Sequence, residues 1–225
     1  MKKSSGLLAV ALFALCACGA AADETETALP APIVDQAQTG DSETAVLAGG
    51  CFWGIQGVFQ NVKGVRQVLA GYAGGDAFSA HYEMVSTGTT GNAESVRIVF
   101  DPKLVSYGQI LRIYFSVMDP TTLNYQGPDE GTQYRSEIFA ADPDQQRIAK
   151  AYIEQLEKAH AFRAPIVTKL GTLRGFVRAE GYHQDYLIHH PDQPYIVYND
   201  LPKIETLKRL YPQFVAEHPV TVAGL

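Results

Sequence analysis

Cys51 stands in the run Gly49-Gly50-Cys51-Phe52-Trp53-Gly54, and it is the single cysteine outside the first eighteen residues, which hold Cys16 and Cys18. A short apolar run, Ala45-Val46-Leu47-Ala48, leads into the two glycines, and an amphipathic stretch over residues 55–62 follows. The pattern reads as strand, tight turn and helix, with a thiol at the first helical turn. Free N–H groups and the positive end of the helix dipole favour an anion there, so the position favours the nucleophilic thiolate. The ordinary alternative is a buried structural cysteine. The flanking glycines, which leave the sulfur's surroundings open, weigh against it.

Three classes of thiol chemistry remain: acyl transfer, disulfide exchange, and reduction of an oxidised sulfur or peroxide. Disulfide exchange of the thioredoxin type wants Cys-x-x-Cys, and Gly54 stands where the second cysteine belongs. Acyl transfer wants an oriented histidine base, for which His183 is a candidate among six histidines. The third class fits the neighbours. Phe52 and Trp53 set aromatic faces beside the sulfur where a methyl group can lodge, although a Phe-Trp pair is also ordinary core material. Glu94 precedes an apolar strand; it is a solvated carboxylate at a sheet end or, if buried near Cys51, a general acid. Residues 127–136 form a polar, glycine-bearing segment containing Asp129 and Tyr134, and Tyr82 offers a second hydroxyl on a loop-like segment.

Strand signals at residues 44–48, 65–72 and 95–100, the last with alternating Val96, Ile98 and Phe100, position these groups. Ser106 with Gln109 opens a helix through Phe115, and Asp119-Pro120 ends it. Asp142-Pro143 starts another, with Ile148, Tyr152, Leu156 and Ala159 at helical spacing to about Phe162. A strand at 166–170, helical turns at 182–189 and a helix at 203–210 complete the reading. Strands 2 and 3 are joined by a loop, which argues for an α+β fold with a largely antiparallel or mixed sheet.

Composition sets the class. The 225 residues suit one domain plus extensions at ~100–200 residues per domain. A net charge of −6 argues against nucleic-acid binding, which needs a basic face. Lys2 and Lys3, an apolar stretch at 7–15 and small residues after it form an export signal. Leu15-Cys16-Ala17-Cys18 resembles a lipobox, which makes residues 1–18 a lipoprotein signal with Cys18 lipidated; cleavage after Ala22 would instead release a soluble protein. Either way the protein is exported, with a periplasmic, membrane-anchored form expected. Residues 19–42 read as a flexible tether, 43–200 as the domain, and 201–225 as a C-terminal extension. Exported chains usually pair their cysteines, so the unpaired Cys51 points to a reactive thiol.

Gly-Cys-Phe-Trp-Gly at 50–54, Gly-Tyr-Ala-Gly-Gly at 71–75, Ala-Glu at 93–94, Asp-Pro-Thr-Thr at 119–122, Gly-Thr-Gln-Tyr-Arg-Ser at 131–136 and Tyr-His-Gln-Asp-Tyr-Leu at 182–187 together resemble the peptide methionine sulfoxide reductase A family. The likeness runs in order from about Thr44 to Tyr198. It implies that Cys51 attacks the sulfoxide sulfur, Glu94 protonates the leaving oxygen, Tyr82 and Tyr134 hydrogen-bond that oxygen, Phe52 and Trp53 hold the methyl group, and Asp129 shapes the polar side of the pocket. It implies the S-epimer of methionine sulfoxide, free or in proteins, as substrate. The implied fold is an α+β sandwich related to the ferredoxin-like βαββαβ plan, with extended loops. No cofactor or metal is implied, since neither metal-ligand spacing nor a phosphate-binding glycine loop is present. Position 92 is Asn and position 118 Met where many members have His, and altered packing with retained activity is expected. No cysteine follows Cys51, so an external thiol, a thioredoxin-like protein or a small molecule, is expected to reduce its sulfenic acid. The competing readings are a non-catalytic surface lipoprotein that binds methionine-like side chains and a cysteine hydrolase using His183.

Overall fold

The computed structural model describes residues 27–35 and 40–222. The leader, with Cys16 and Cys18, and most of the expected tether lie outside the described residues. In chain order the elements are β1 (Glu43–Gly49), α1 (Phe52–Gln60), β2 (Val65–Ala73), α2 (Tyr82–Val85), β3 (Ala93–Phe100), α3 (Tyr107–Val117), β4 (Tyr125–Gln126), β5 (Asp129–Glu130), β6 (Ser136–Ala140), α4 (Pro143–Lys158), β7 (Lys169–Thr172), β8 (Phe176–Arg178), α5 (Tyr186–His189) and α6 (Leu201–Leu210).

Six strands form one sheet in the order β7-β6-β1-β3-β2-β8, and β4 and β5 form a separate small hairpin. All neighbours in the large sheet are antiparallel except β6 and β7. The inner order β6-β1-β3-β2, with α1 and α3 as the connecting helices, agrees with the expected ferredoxin-like plan. Strand alternation decides what faces the helices. Val68, Ala70 and Tyr72 of β2 share a face with Val96, Ile98 and Phe100 of β3 and with Ala45 and Leu47 of β1, and together they pack under α1, α3, α4 and α6. Glu94 has the same parity as Val96, and register sets it opposite Tyr72. The helix-side end of β3 therefore carries a carboxyl group.

The helix starts follow the sequence signals. Ser106 accepts the Gln109 N–H at 3.2 Å and Asp142 accepts the Gln145 N–H at 2.8 Å, each worth about 1 kcal/mol. Other elements differ from expectation. α4 stops at Lys158, and His160 turns into the left-handed region just beyond. The strand expected at 166–170 begins at Lys169, because the Val167 N–H goes to the Pro120 carbonyl instead. β6 and β8 were not legible, being five and three residues long.

Two boundaries are corrected. Residues 27–35 fall within the stretch read as a tether, yet they lie along α3 and α4. The Leu29, Pro30 and Ala31 carbonyls accept from Arg112 Nε, the Tyr152 hydroxyl and Gln155 Nε2 at 2.7, 2.9 and 2.7 Å. Asp35 takes the Gly108 N–H at 3.0 Å, and Leu29 and Val34 pack on the core. Composition understated this segment because its partners come from helices some 80 to 120 residues away. At the other end, α6 buries Ile204 and Leu207 and packs against α1 and α3, so Leu201–Leu210 belongs to the domain.

Gly50 shows why the turn before Cys51 is built of glycine. It sits at φ +88°, and a Cβ there would stand 2.6 Å from the Gln126 Cβ. The Asp-Pro-Thr-Thr run folds onto Gln126 from behind, with the Asp119 N–H on its Oε1 at 3.0 Å and Thr122 Oγ1 accepting its Nε2 at 2.9 Å. Gly50→Ala is expected to lower unfolding free energy by at least about 1–2 kcal/mol from backbone conformation alone. Asp142→Ala, which removes a helix cap, should cost about 1 kcal/mol and leave the site intact. Urea denaturation with an activity assay checks both.

Candidate active site

Cys51 is the N-cap residue of α1, at the end of the β1 turn, and only 7% of it is exposed. No capping hydrogen bond holds its sulfur. Glu94 reaches the same helix end from β3, its Oε2 accepting the Phe52 N–H at 3.0 Å. The residue after the thiol thus donates to the carboxyl, so thiol and acid share one helix N-terminus.

The protonation states differ from the expectation of a ready thiolate. Burial, then the charges of Glu94 and Asp200, push the Cys51 thiol well above its ordinary range, while the Trp53 N–H and Lys203 act less strongly the other way. A helix end supplies the equivalent of about half a positive charge, and desolvation, the largest cause, outweighs it with help from the acids nearby. The resting group is a thiol. Burial also raises Glu94 to about 8, assisted by Asp129 and Asp200 and opposed by the Phe52 N–H. Glu94 therefore carries a proton at neutral pH and can donate it.

The other expected residues gather here. Tyr134 sits in a 3-10 turn over Thr132–Tyr134, and its hydroxyl is raised by burial and then by Glu94, Asp129 and Cys51. Tyr82 opens α2, within a connection read as a loop, and its ring lies 4.7 Å from that of His183. Asp129, on β5, accepts the Tyr195 hydroxyl, and burial raises its carboxyl. Trp53 is the partly open wall: its indole stacks on Tyr186 at 3.8 Å and 9° and meets Tyr195 edge-on at 5.9 Å. Phe52 is 1% exposed and packs against Tyr72 and His183, so it forms the floor beneath this wall.

His183 has a different place from the hydrolase reading. Its Nδ1 accepts the Trp53 indole N–H at 3.1 Å, and its Nε2 has no hydrogen-bond partner among the described residues. Nδ1 is thus taken by the tryptophan and is not available as a base for Cys51, while Nε2 lies 4.0 Å from Glu180 Oε2. Burial lowers its basicity, which favours the neutral form that can accept. Glu180 holds the neighbouring face by accepting the Tyr72 hydroxyl and the Tyr82 N–H, both at 2.9 Å.

Sequence reasoning assigned no role to Tyr186, Tyr195, Glu180 or Asp200. Tyr186 lay inside the quoted 182–187 motif, whereas Tyr195 and Asp200 carried no signal that separated them from other tyrosines and aspartates. Asn92 is buried: its Oδ1 accepts the Gly75 N–H at 3.1 Å and its Nδ2 donates to the Asp76 carbonyl at 3.0 Å, closing the β2–β3 connection.

Glu94 makes a stability prediction. Its folded value, about 8, exceeds the 4.5 of an ordinary glutamate. The folded state therefore holds a proton that the unfolded state releases. This contribution is complete below about pH 4.5 and is lost as pH rises through about 8. Glu94→Gln should flatten the fall in stability across that window, measured by denaturant unfolding at a series of pH values. An unchanged slope would contradict the buried, protonated carboxyl.

Comparison with known proteins identifies the family. The family model described as peptide methionine sulfoxide reductase matches residues 43–214. A Mesorhizobium japonicum protein named peptide methionine sulfoxide reductase MsrA 2 is 57% identical over 190 residues, covering 84% of this chain and 97% of that protein. A Synechocystis protein of the same name is 47% identical over 81% of this chain and 88% of its own length. Among solved structures, reduced Mxr1 from Saccharomyces cerevisiae superposes with a TM-score of 0.61 at 32% identity, covering 68% of this chain and 88% of that one. Methionine sulfoxide reductase A of Corynebacterium diphtheriae gives 0.60 at 30% identity, over 75% and 90%. The chain belongs to the peptide methionine sulfoxide reductase family.

Proposed function

We propose that this enzyme reduces the S-epimer of methionine sulfoxide, free or within proteins, through a Cys51 sulfenic acid. The reduction of methionine sulfoxide, and with it protein repair, follows from family membership. The observation that carries the mechanism is the buried Glu94 carboxyl, held at about 8 and bonded to the N–H of the residue next to the thiol.

The steps balance as follows. Cys51 sulfur attacks the sulfoxide sulfur while Glu94 gives its proton to the sulfoxide oxygen. The hydroxyl then passes from the methionine sulfur to the Cys51 sulfur: the S–S bond made in the attack and the methionine S–O bond break, a Cys51 S–O bond forms, and methionine leaves as a thioether. The proton lost by the thiol restores Glu94. Methionine sulfur gains two electrons and Cys51 sulfur loses them. Two external thiols then return Cys51 to its reduced form, giving their disulfide and water. A positioned acid contributes roughly 10²–10⁴-fold to such a step, because sulfoxide oxygen leaves poorly until protonated. Tyr82 and Tyr134 hydrogen-bond the oxygen, Trp53 above Phe52 holds the methyl group, and Asp129 with Tyr195 bounds the polar side.

The external reductant is a thioredoxin-like protein or a small thiol, since no cysteine follows Cys51 in the sequence. The setting is outside the cytoplasm, supported by Lys2, Lys3, the apolar residues 7–15 and the lipobox-like run ending at Cys18, whose lipidation would anchor the domain to a membrane. The stereospecific assay tests the reaction. Turnover of S-sulfoxide with a thiol is expected, with none of the R-epimer and none by Cys51→Ser. Activity that survives Cys51→Ser would overturn the mechanism, and absence of turnover in the parent protein would favour the non-catalytic binding reading. After one turnover without thiol, mass spectrometry should find Cys51 as a sulfenic acid, whereas an intramolecular disulfide would refute direct reduction.

A further inference from the structure

The reaction above leaves one buried carboxyl of the site without a role. Asp200 ends a π-helical turn over Ile196–Asp200 that runs straight into α6, and its side chain is 0% exposed. Its Oδ1 accepts the Lys203 ammonium at 2.9 Å. Its Oδ2 has no hydrogen-bond partner among the described residues. The carboxylate presses on the first turn of α1: a Cβ built on Gly54 would stand 2.1 Å from Asp200 Oδ1 and 2.8 Å from Lys203 Nζ. Gly54 comes three residues after Cys51, so the ion pair lies against the helix end that carries the thiol.

Such an arrangement is a poor way to gain stability. Removing two charges from water is costly, an unpaired carboxylate oxygen adds to that cost, and an apolar pair of the same size would serve packing better. π-helical turns, which also strain the backbone ladder, occur frequently at functional sites. A glycine is required at position 54 only because the carboxylate is there. Three unfavourable features thus meet at the same turn.

We propose that Asp200 and Lys203 are a positioning pair for Cys51, their opposed charges setting the balance between its thiol and thiolate forms. Asp200 disfavours the thiolate and so keeps the resting sulfur protonated, while Lys203 limits that effect. The charged groups acting on the sulfur are Glu94 from β3, Asp200 from the π-helical turn and Lys203 from α6; the Tyr134 and Tyr195 hydroxyls also interact with it. Asp129, from β5, interacts with Glu94 and Asp200 and is bound by Tyr195. Burial raises the Asp200 carboxyl as well, and its ion pair with Lys203 opposes that shift and favours the charged form that acts on the sulfur. Lys203 also lines an open groove of about 540 Å³ with Met118 and Gln126, which keeps the ammonium in touch with water. The sulfur of the resting enzyme is thereby guarded against stray electrophiles.

The inference rests on Cys51 as the nucleophile, but its test needs no substrate, so it can fail independently of the proposed reaction. The full-length protein is alkylated with iodoacetamide across a pH series, and mass spectrometry follows the peptide that contains Cys51. Asp200→Asn should lower the midpoint by roughly one pH unit, with about tenfold faster alkylation at neutral pH. Lys203→Met should raise the midpoint, and the double variant should fall between the two. If Asp200→Asn fails to fold, Lys203→Met decides alone: an upward shift supports the pair and an unmoved curve overturns it. Shifts in the same direction for both single variants, as general loosening would produce, also overturn it.

Discussion

The hydrogen bond from the Phe52 N–H to Glu94 joins the two halves of the site. It is short in space, yet it ties the helix-side end of β3 to the start of α1 through residues 42 positions apart in the chain. Every helix leaves its first N–H groups without internal partners, and a buried one must find an acceptor. Here the acceptor is a carboxyl whose own burial favours its protonated form. Helix start, strand end and acid are therefore solved together, and the thiol is placed beside the acid as a by-product of satisfying a backbone group.

Around that bond the aromatic residues form two tiers. Phe52 is sealed below, against Tyr72 and His183, while Trp53 stands at the opening between Tyr186 and Tyr195. The order follows from helix geometry, since consecutive residues point about 100° apart and cannot share one face. The indole needs its N–H satisfied when partly buried, and His183 supplies the acceptor. One histidine thus fixes the tilt of the wall that a substrate methyl group would meet, and its neutral form is required for that.

What was legible in the sequence followed from periodicity and local chemistry. The alternation of Val96, Ile98 and Phe100 gave β3 and, by parity, the face on which Glu94 points. Ser106 and Asp142 announced their helices because a cap acts within three residues. The cluster of Cys51, Glu94, Tyr82, Tyr134 and Asp129 was legible through several ordered motifs, and their assembly is a property of the sheet order. What escaped depended on distant partners. β6 has only five residues and is specified by pairing with β1. Asp200 looks like any aspartate until the π-helical turn buries it against Gly54. The acidity of Cys51 was misjudged because the local cue, a helix end, is visible in sequence, whereas the burial and the acids that outweigh it come from β3 and the π-helical turn before α6.

The docked segment at residues 27–35 extends the packed unit beyond the stretch that the family model matches. The match to the family model begins at residue 43, but the Arg112, Tyr152 and Gln155 side chains are satisfied by carbonyls upstream of it. Arg112 also lies over the Tyr211 ring, and the Tyr211 hydroxyl pairs with Ser116 and accepts the Leu29 N–H. A polypeptide pared back to Glu43 would keep every residue of the candidate site and yet leave a seam of α3 and α4 without its cover. The family match begins at residue 43, whereas the packing onto α3 and α4 begins upstream of it.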